Sequence, residues 1–343
     1  MKSVLISVLL LMNVGSEETI NLGYDFATNA VAQLVQNEDG VIWGVTSSSV
    51  DALPTIAGVY AVSSTDEGKT WDTTTITTDW WRWGIDIAAV TATTAYAITM
   101  NEDTLDLYRC ADRQWKTVSA KTTQVDRPLS VHFFNASTGI VIGRHGREID
   151  RKWQMSRTTD GGKTWKPATP MLAEPAKETI RMRNDRAVTS WGLSLWIGTS
   201  SGRILRTTDA GLTWTVCQPR LQGPITSLVA TSPTRIIATT YVGTPPAVTQ
   251  FASISRDAGA SWSPLQLPAG LPPLVGLRVL DEEVLVTIPS TLSMTPLLRV
   301  TPDFGETRRL TNSDVTSVVV LDDDMVVCGT EVTPGRGIVR IEW

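Results

Sequence analysis

Short apolar runs separated by polar turns recur along the whole chain. Val31, Leu34 and Val35 precede a turn from Asn37 to Gly40, and Val41, Ile42 and Trp43 follow it. The same shape returns at Val131 to Phe134, Asn135 to Gly139 and Ile140 to Ile142, and again at Val318 to Leu321, Asp322 to Asp324 and Met325 to Cys328. Apolar runs of this length bounded by Asn, Asp and Gly predict β-hairpins. Looser versions lie at Ile87 to Thr99, Trp191 to Gly198, Leu228 to Thr239 and Leu277 to Ile288, which makes seven hairpins. Gly44 to Gly329 is 285 residues, and six steps across it give a repeat of about 47.5 residues. A period of that size belongs to propellers and solenoids.

A second motif runs at the same period. Four copies read Ser64, Asp66, Gly68, Thr70, Trp71; Thr158, Asp160, Gly162, Thr164, Trp165; Thr207, Asp209, Gly211, Thr213, Trp214; and Ser255, Asp257, Gly259, Ser261, Trp262. Decayed copies lie in register at Tyr108 to Trp115 and at Thr301 to Arg308, where Arg308 stands in place of the tryptophan. Positions 71, 115, 165, 214, 262 and 308 are spaced by 44, 50, 49, 48 and 46 residues. These residue types suit a tight hairpin turn: Asp and Ser/Thr bond nearby backbone, Gly takes a positive φ, and Trp packs its indole on the sheet behind.

The motif resembles the Asp box, or BNR repeat, of sialidases, sortilin-type receptors, some xyloglucanases and a photosystem assembly factor. In those families the box is scaffolding, so the resemblance implies a propeller in which Asp66, Gly68, Trp71, Asp160, Gly162, Trp165, Asp209, Gly211, Trp214, Asp257, Gly259 and Trp262 serve structure. The fold expected is all-β: a single seven-bladed β-propeller with Asp-box turns, spanning 19–343. After the seventh hairpin only Gly337 to Trp343 remains, enough for a third strand, and Thr19 to Tyr24 is expected to supply the fourth and close the ring.

The resemblance does not extend to sialidase chemistry. Those enzymes place an arginine ahead of the first box, whereas no arginine precedes Arg82 here, and their late tyrosine nucleophile has no counterpart after Tyr241. A glycoside hydrolase using loop carboxylates such as Glu102, Asp103, Asp106 and Glu148 is the alternative reading, since such a pair needs only suitable separation across a cleft.

Composition narrows the field further. Of 343 residues 42% are hydrophobic and 19% charged, enough apolar material for a large core. The balance of 30 Lys+Arg against 35 Asp+Glu disfavours nucleic acid as the main partner. Three dispersed cysteines, Cys110, Cys217 and Cys328, and two histidines, His132 and His145, indicate no zinc site, disulfide framework or catalytic triad, so no metal or cofactor is expected. Residues 1–18 read either as an ordered arm or as a signal peptide built on the apolar run Val4 to Met12, which is too short to span a bilayer.

Candidate chemistry gathers in the loops between blades. Trp80, Trp81 and Trp83 surround Arg82, and this group either plugs a blade junction or forms a stacking platform for a ligand. Arg127, Arg144, Arg147, Arg181 and Arg183 form either a solvated rim or an anion-binding patch. His145 is expected to be exposed and His132 structural. The function expected is a non-catalytic recognition or assembly module that presents this aromatic and basic face to a protein or acidic glycan partner. An extracellular or virion surface, within a larger assembly, is the setting expected by analogy.

Overall fold

The computed structural model describes residues 16–20, 29–48, 58–79, 82–101, 104–120, 125, 127–145, 152–168, 178, 180, 187–244, 247–267, 275–279, 285–288, 297–300, 307–311, 315–322, 325–333 and 336–342. Its strands run in chain order as β1 (Ser16–Ile20); β2 to β5 (Asn29–Gln36, Ile42–Ser48, Val59–Ser64, Asp72–Thr77); β6 to β9 (Trp83–Thr91, Thr94–Asn101, Thr104–Ala111, Gln114–Ala120); β10 to β13 (Arg127–Phe133, Gly139–His145, Lys152–Thr158, Lys166–Pro167); β14 to β17 (Val188–Trp191, Ser194–Gly198, Ile204–Thr207, Thr215–Cys217); β18 to β21 (Ser227–Ala230, Ile236–Thr244, Ala247–Ser255, Ser263–Leu265); β22 to β25 (Val275–Val279, Leu285–Ile288, Leu297–Val300, Thr307–Thr311); and β26 to β28 (Val315–Asp322, Met325–Thr333, Arg336–Glu342).

Six antiparallel sheets, blades 1 to 6, are each a run of four consecutive strands beginning at β2, β6, β10, β14, β18 and β22. The remaining four-stranded sheet is composite, in the order β1-β28-β27-β26. The expected seven-bladed ring closed by Thr19 to Tyr24 is corrected accordingly: six blades are contiguous, the closing sheet is shared between two distant parts of the chain, and its edge strand is Ser16–Ile20. There Ser16 lies opposite Glu342 and Ile20 opposite Ile338. The apolar run from Val4 to Met12 lies outside the described residues.

First strands of successive sheets are neighbours, β2 with β6, β6 with β10, β14 with β18, β18 with β22, β22 with β26 and β26 with β2. Between blades 3 and 4 the link is an apolar cluster that joins Ile140, Ile142 and Trp153 to Leu195, Ile197 and Leu205. This is an all-β propeller whose core lies between sheets. The second strands β7 and β11 are covered on both faces and read as apolar runs instead of alternating. Ala95, Tyr96, Ala97 and Ile98 of β7 are all fully buried, as are Ile140, Val141 and Ile142 of β11. Fourth strands lie at the edge, and β5 is mostly exposed or half-buried.

His132 on β10 is half-buried, with its ring edge-on to Phe134 at 4.6 Å and its Nε2 buried without a hydrogen-bond partner. Burial lowers its pKa from 6.5 to about 4. Below pH 6.5 the unfolded chain therefore takes up a proton that the folded chain refuses, and this site's contribution to stability is lost as pH falls toward 4. We expect about 3 kcal/mol of pH-dependent destabilisation from this residue. Denaturant titrations across that window should show the loss, and His132→Phe should flatten it. Gly162 has φ +88°, and a Cβ there would lie 2.6 Å from Leu107 Cδ2 of the preceding blade. Gly162→Ala should accordingly lower stability by about 1–3 kcal/mol, measured by chemical unfolding.

Candidate functional site

Each box turn is organised by one carboxylate. In blade 1, Asp66 Oδ1 accepts from the Thr70 amide at 2.8 Å and from Ser64 Oγ at 2.8 Å, while Oδ2 accepts from Thr70 Oγ1 at 2.6 Å. Ser64 Oγ in turn accepts from the Gly68 amide at 2.8 Å, and Trp71 Nε1 donates to Gly68 O at 2.9 Å. Blades 3, 4 and 5 repeat these bonds around Asp160, Asp209 and Asp257. The Thr164 hydroxyl, then its amide, hold Asp160 at about 2, and Ser261 does the same for Asp257. These carboxylates are consumed by the turn. Blade 2 departs from the expected box, since Asp112 and Arg113, both at positive φ, form a two-residue turn between Ala111 and Gln114. The copy at Thr301 to Thr307 lies largely outside the described residues.

Between blades 2 and 3, at their box end, runs a groove of about 890 Å³. Tyr96 and Val118 line it, Arg109 and Lys116 come from blade 2, and Lys163 comes from the box of blade 3. Tyr96 Oη donates to Ala136 O at 2.7 Å, which ties the two walls together, and the Arg109 guanidinium lies 5.9 Å from the Tyr96 ring centroid. Asp160 also lines the groove, but its box bonds already occupy both oxygens.

Register makes this edge unusual. Arg109 lies directly opposite Lys116, and in blade 3 Arg157 lies directly opposite Lys166. Like charges at opposed positions on one sheet face cost stability. Blade 1 has Ser63 and Asp72 at the matching pair, and Asp72 is neutralised by Arg113 at 3.1 Å. Among the described residues no carboxylate pairs with Arg109, Lys116, Arg157 or Lys166. Arg157 and Arg206 each stand three residues before the box aspartate of blades 3 and 4, Asp160 and Asp209, while blade 2, which lacks the box, carries Arg109 three residues before its turn residue Asp112. That periodic arginine is the sequence signal that points to this surface.

The residues singled out in the interblade loops fare differently. Arg82 is built into the structure: it pairs with Asp79 at 3.1 Å and Asp106 at 2.8 Å, with its side chain 12% exposed. That bond also occupies Asp106, one of the carboxylates considered for hydrolysis. Trp83 is half-buried opposite Met100. Trp80, Trp81, Arg147, Arg181 and Arg183 lie outside the described residues, as do Glu102, Asp103 and Glu148. Arg127 and Arg144 are brought together as direct cross-strand partners of β10 and β11. At the entry to blade 4, Glu178 and Arg203 form a buried ion pair, with Arg203 Nε 2.9 Å from Glu178 Oε1. The three cysteines are free and buried. Among the described residues no group of three or more His, Cys, Asp or Glu is placed to hold a metal, and no helix is long and apolar enough to cross a membrane.

Residues 107–265 match the family model described as photosynthesis system II assembly factor YCF48. Among solved structures, YCF48 bound to D1 peptide is similar at TM-score 0.63 and 13% identity, covering 97% of this chain and 98% of that one. YCF48 from Cyanidioschyzon merolae is similar at TM-score 0.62 and 12% identity, covering 95% and 99%. A catalytically inactive virginiamycin B lyase from Staphylococcus aureus, solved with quinupristin, is similar at 0.57 and 10%, covering 96% and 99%. A search of curated proteins finds no match. The chain is a BNR-like β-propeller, and since a lyase shares that scaffold, function has to be argued from the site.

The opposed cations make a stability prediction. Lys116→Glu and Lys166→Glu turn a repulsive cross-strand pair into an attractive one, so each should raise stability by about 0.2–1 kcal/mol at low salt. A gain that vanishes at high salt in thermal unfolding confirms the electrostatic origin.

Proposed function

We propose that this chain is a non-catalytic propeller that docks an acidic segment of a protein partner, in the manner of an assembly factor. The observation that carries the reading is the pair of opposed cations, Arg109 with Lys116 and Arg157 with Lys166, at matching positions on adjacent blades. A fold that tolerates repulsion twice at the same structural position gains from it elsewhere. Carboxylates of a partner entering beside these pairs relieve the repulsion, and the arginine fork meets a carboxylate through two parallel bonds. The model match to an assembly factor and the likeness to a relative holding a peptide support a protein partner. The bound state of Arg82 and Asp106 argues against using them in hydrolysis.

Selection of random linear peptides on the immobilised full chain tests this. Acidic peptides should be enriched, their affinity should fall as salt rises, and the double variant Lys116→Glu, Lys166→Glu should bind them about tenfold more weakly. Peptides that bind the double variant as well as the parent would sink the proposal. So would turnover of aryl glycosides that is abolished by replacing a loop carboxylate.

A further inference from the structure

Blade 4 breaks the pattern of its neighbours at the box end. The residue between the box glycine and the following Thr or Ser is Lys69 in blade 1, Lys163 in blade 3 and Ala260 in blade 5, but it is Leu212 in blade 4. Leu212 is 71% exposed. Apart from the buried Val41 and the half-buried Phe134, the turn joining the first two strands carries polar or small residues in blades 1, 2, 3 and 5, whereas in blade 4 it is Gly192 and Leu193 beside Trp191. Leu193 is 52% exposed and Trp191 46%.

Two hydrogen bonds bring Leu193, the turn of Leu212 and the cations of blade 3 onto one surface, while Trp191 shares the face of Thr189 that meets blade 5. The Ala210 amide donates to Leu193 O at 2.9 Å, which seats the box against the turn two residues before Leu212. Arg157 Nε donates to Ala210 O at 2.7 Å, and Lys166 lies across from Arg157. An exposed apolar group rimmed by charge of one sign marks a protein contact. Two side chains fit one apolar residue of a partner rather than a lipid surface, and the adjoining cations call for carboxylates beside that residue.

We propose that the box end of blade 4 is an apolar seat for an acidic partner segment: Leu193 and Leu212 take one aliphatic or aromatic side chain, while Arg157 and Lys166 meet flanking carboxylates. The inference rests on the protein-docking reading and adds the apolar residue that this reading does not require. Leu212→Lys tests it with little risk to folding, because it installs the residue that blades 1 and 3 already carry.

Acidic peptides selected on the full chain should contain an aliphatic or aromatic residue, and Leu212→Lys should weaken them about tenfold at unchanged melting temperature. Replacing that peptide residue with Ala should cost a similar factor against the parent and little further against Leu212→Lys. Acidic peptides that weaken with Lys116→Glu or Lys166→Glu but not with Leu212→Lys overturn the seat and leave the docking reading standing. Failure to enrich acidic peptides overturns both. Binding to vesicles of anionic phospholipid that is lost in Leu212→Lys overturns the seat in favour of a membrane contact.

Discussion

The ring is held by the close approach of each box glycine to the blade before it. Gly68 lies over Val327 of the closing sheet, Gly162 over Leu107, Gly211 over Ile140 and Gly259 over Trp196, each at positive φ. The absence of a Cβ lets one blade's turn press on its neighbour's buried strands. The aspartate, hydroxyls and indole of the box hold that turn in shape, so the local chemistry of a hairpin becomes the contact between sheets. Other bonds reinforce the same seams, including Tyr96 to Ala136, Arg157 to Ala210 and Trp196 to Ala258.

This explains which parts of the fold were legible in the sequence. A turn with so many simultaneous bonds restricts residue type at five positions, and the restriction recurs wherever blades meet, so period and strand order can be read directly. Blade 2 was misread because Asp112 and Arg113 adopt positive φ without a glycine, which gives a shorter turn under the same spacing. The closing strand was placed too late for a related reason. Ser16, Glu17 and Glu18 occupy the edge of the sheet, where polarity is tolerated, and an apolar alternation does not announce them.

The candidate site was less legible, because it depends on which residues face one another. Arg109 and Lys116 are seven positions apart and look unremarkable in a list of charges, and only the register of β8 and β9 makes them a repulsive pair. Arg82, by contrast, stood out by its tryptophan neighbours, yet the charges that define its role are Asp79 and Asp106. Composition drew attention to a loop, and the pairing of strands shows where charge is left uncompensated. Arg127 and Arg144, named from the loops, are opposed in register as well.

The composite sheet also sets a timetable. Strand β1 has no partner until β28 exists, and their paired residues are more than three hundred positions apart in the chain. Because loop-closure entropy grows only with the logarithm of length, the equilibrium cost of that distance is modest. The kinetic cost is larger, since pairing of such low locality is slow. Blades 1 to 6 can each complete their four strands from consecutive sequence, while β1 stays an open edge until β28 reaches it. The meeting of β1 and β28 is thus the least local pairing of the fold, and an unmade pair leaves one strand exposed to any other chain within reach.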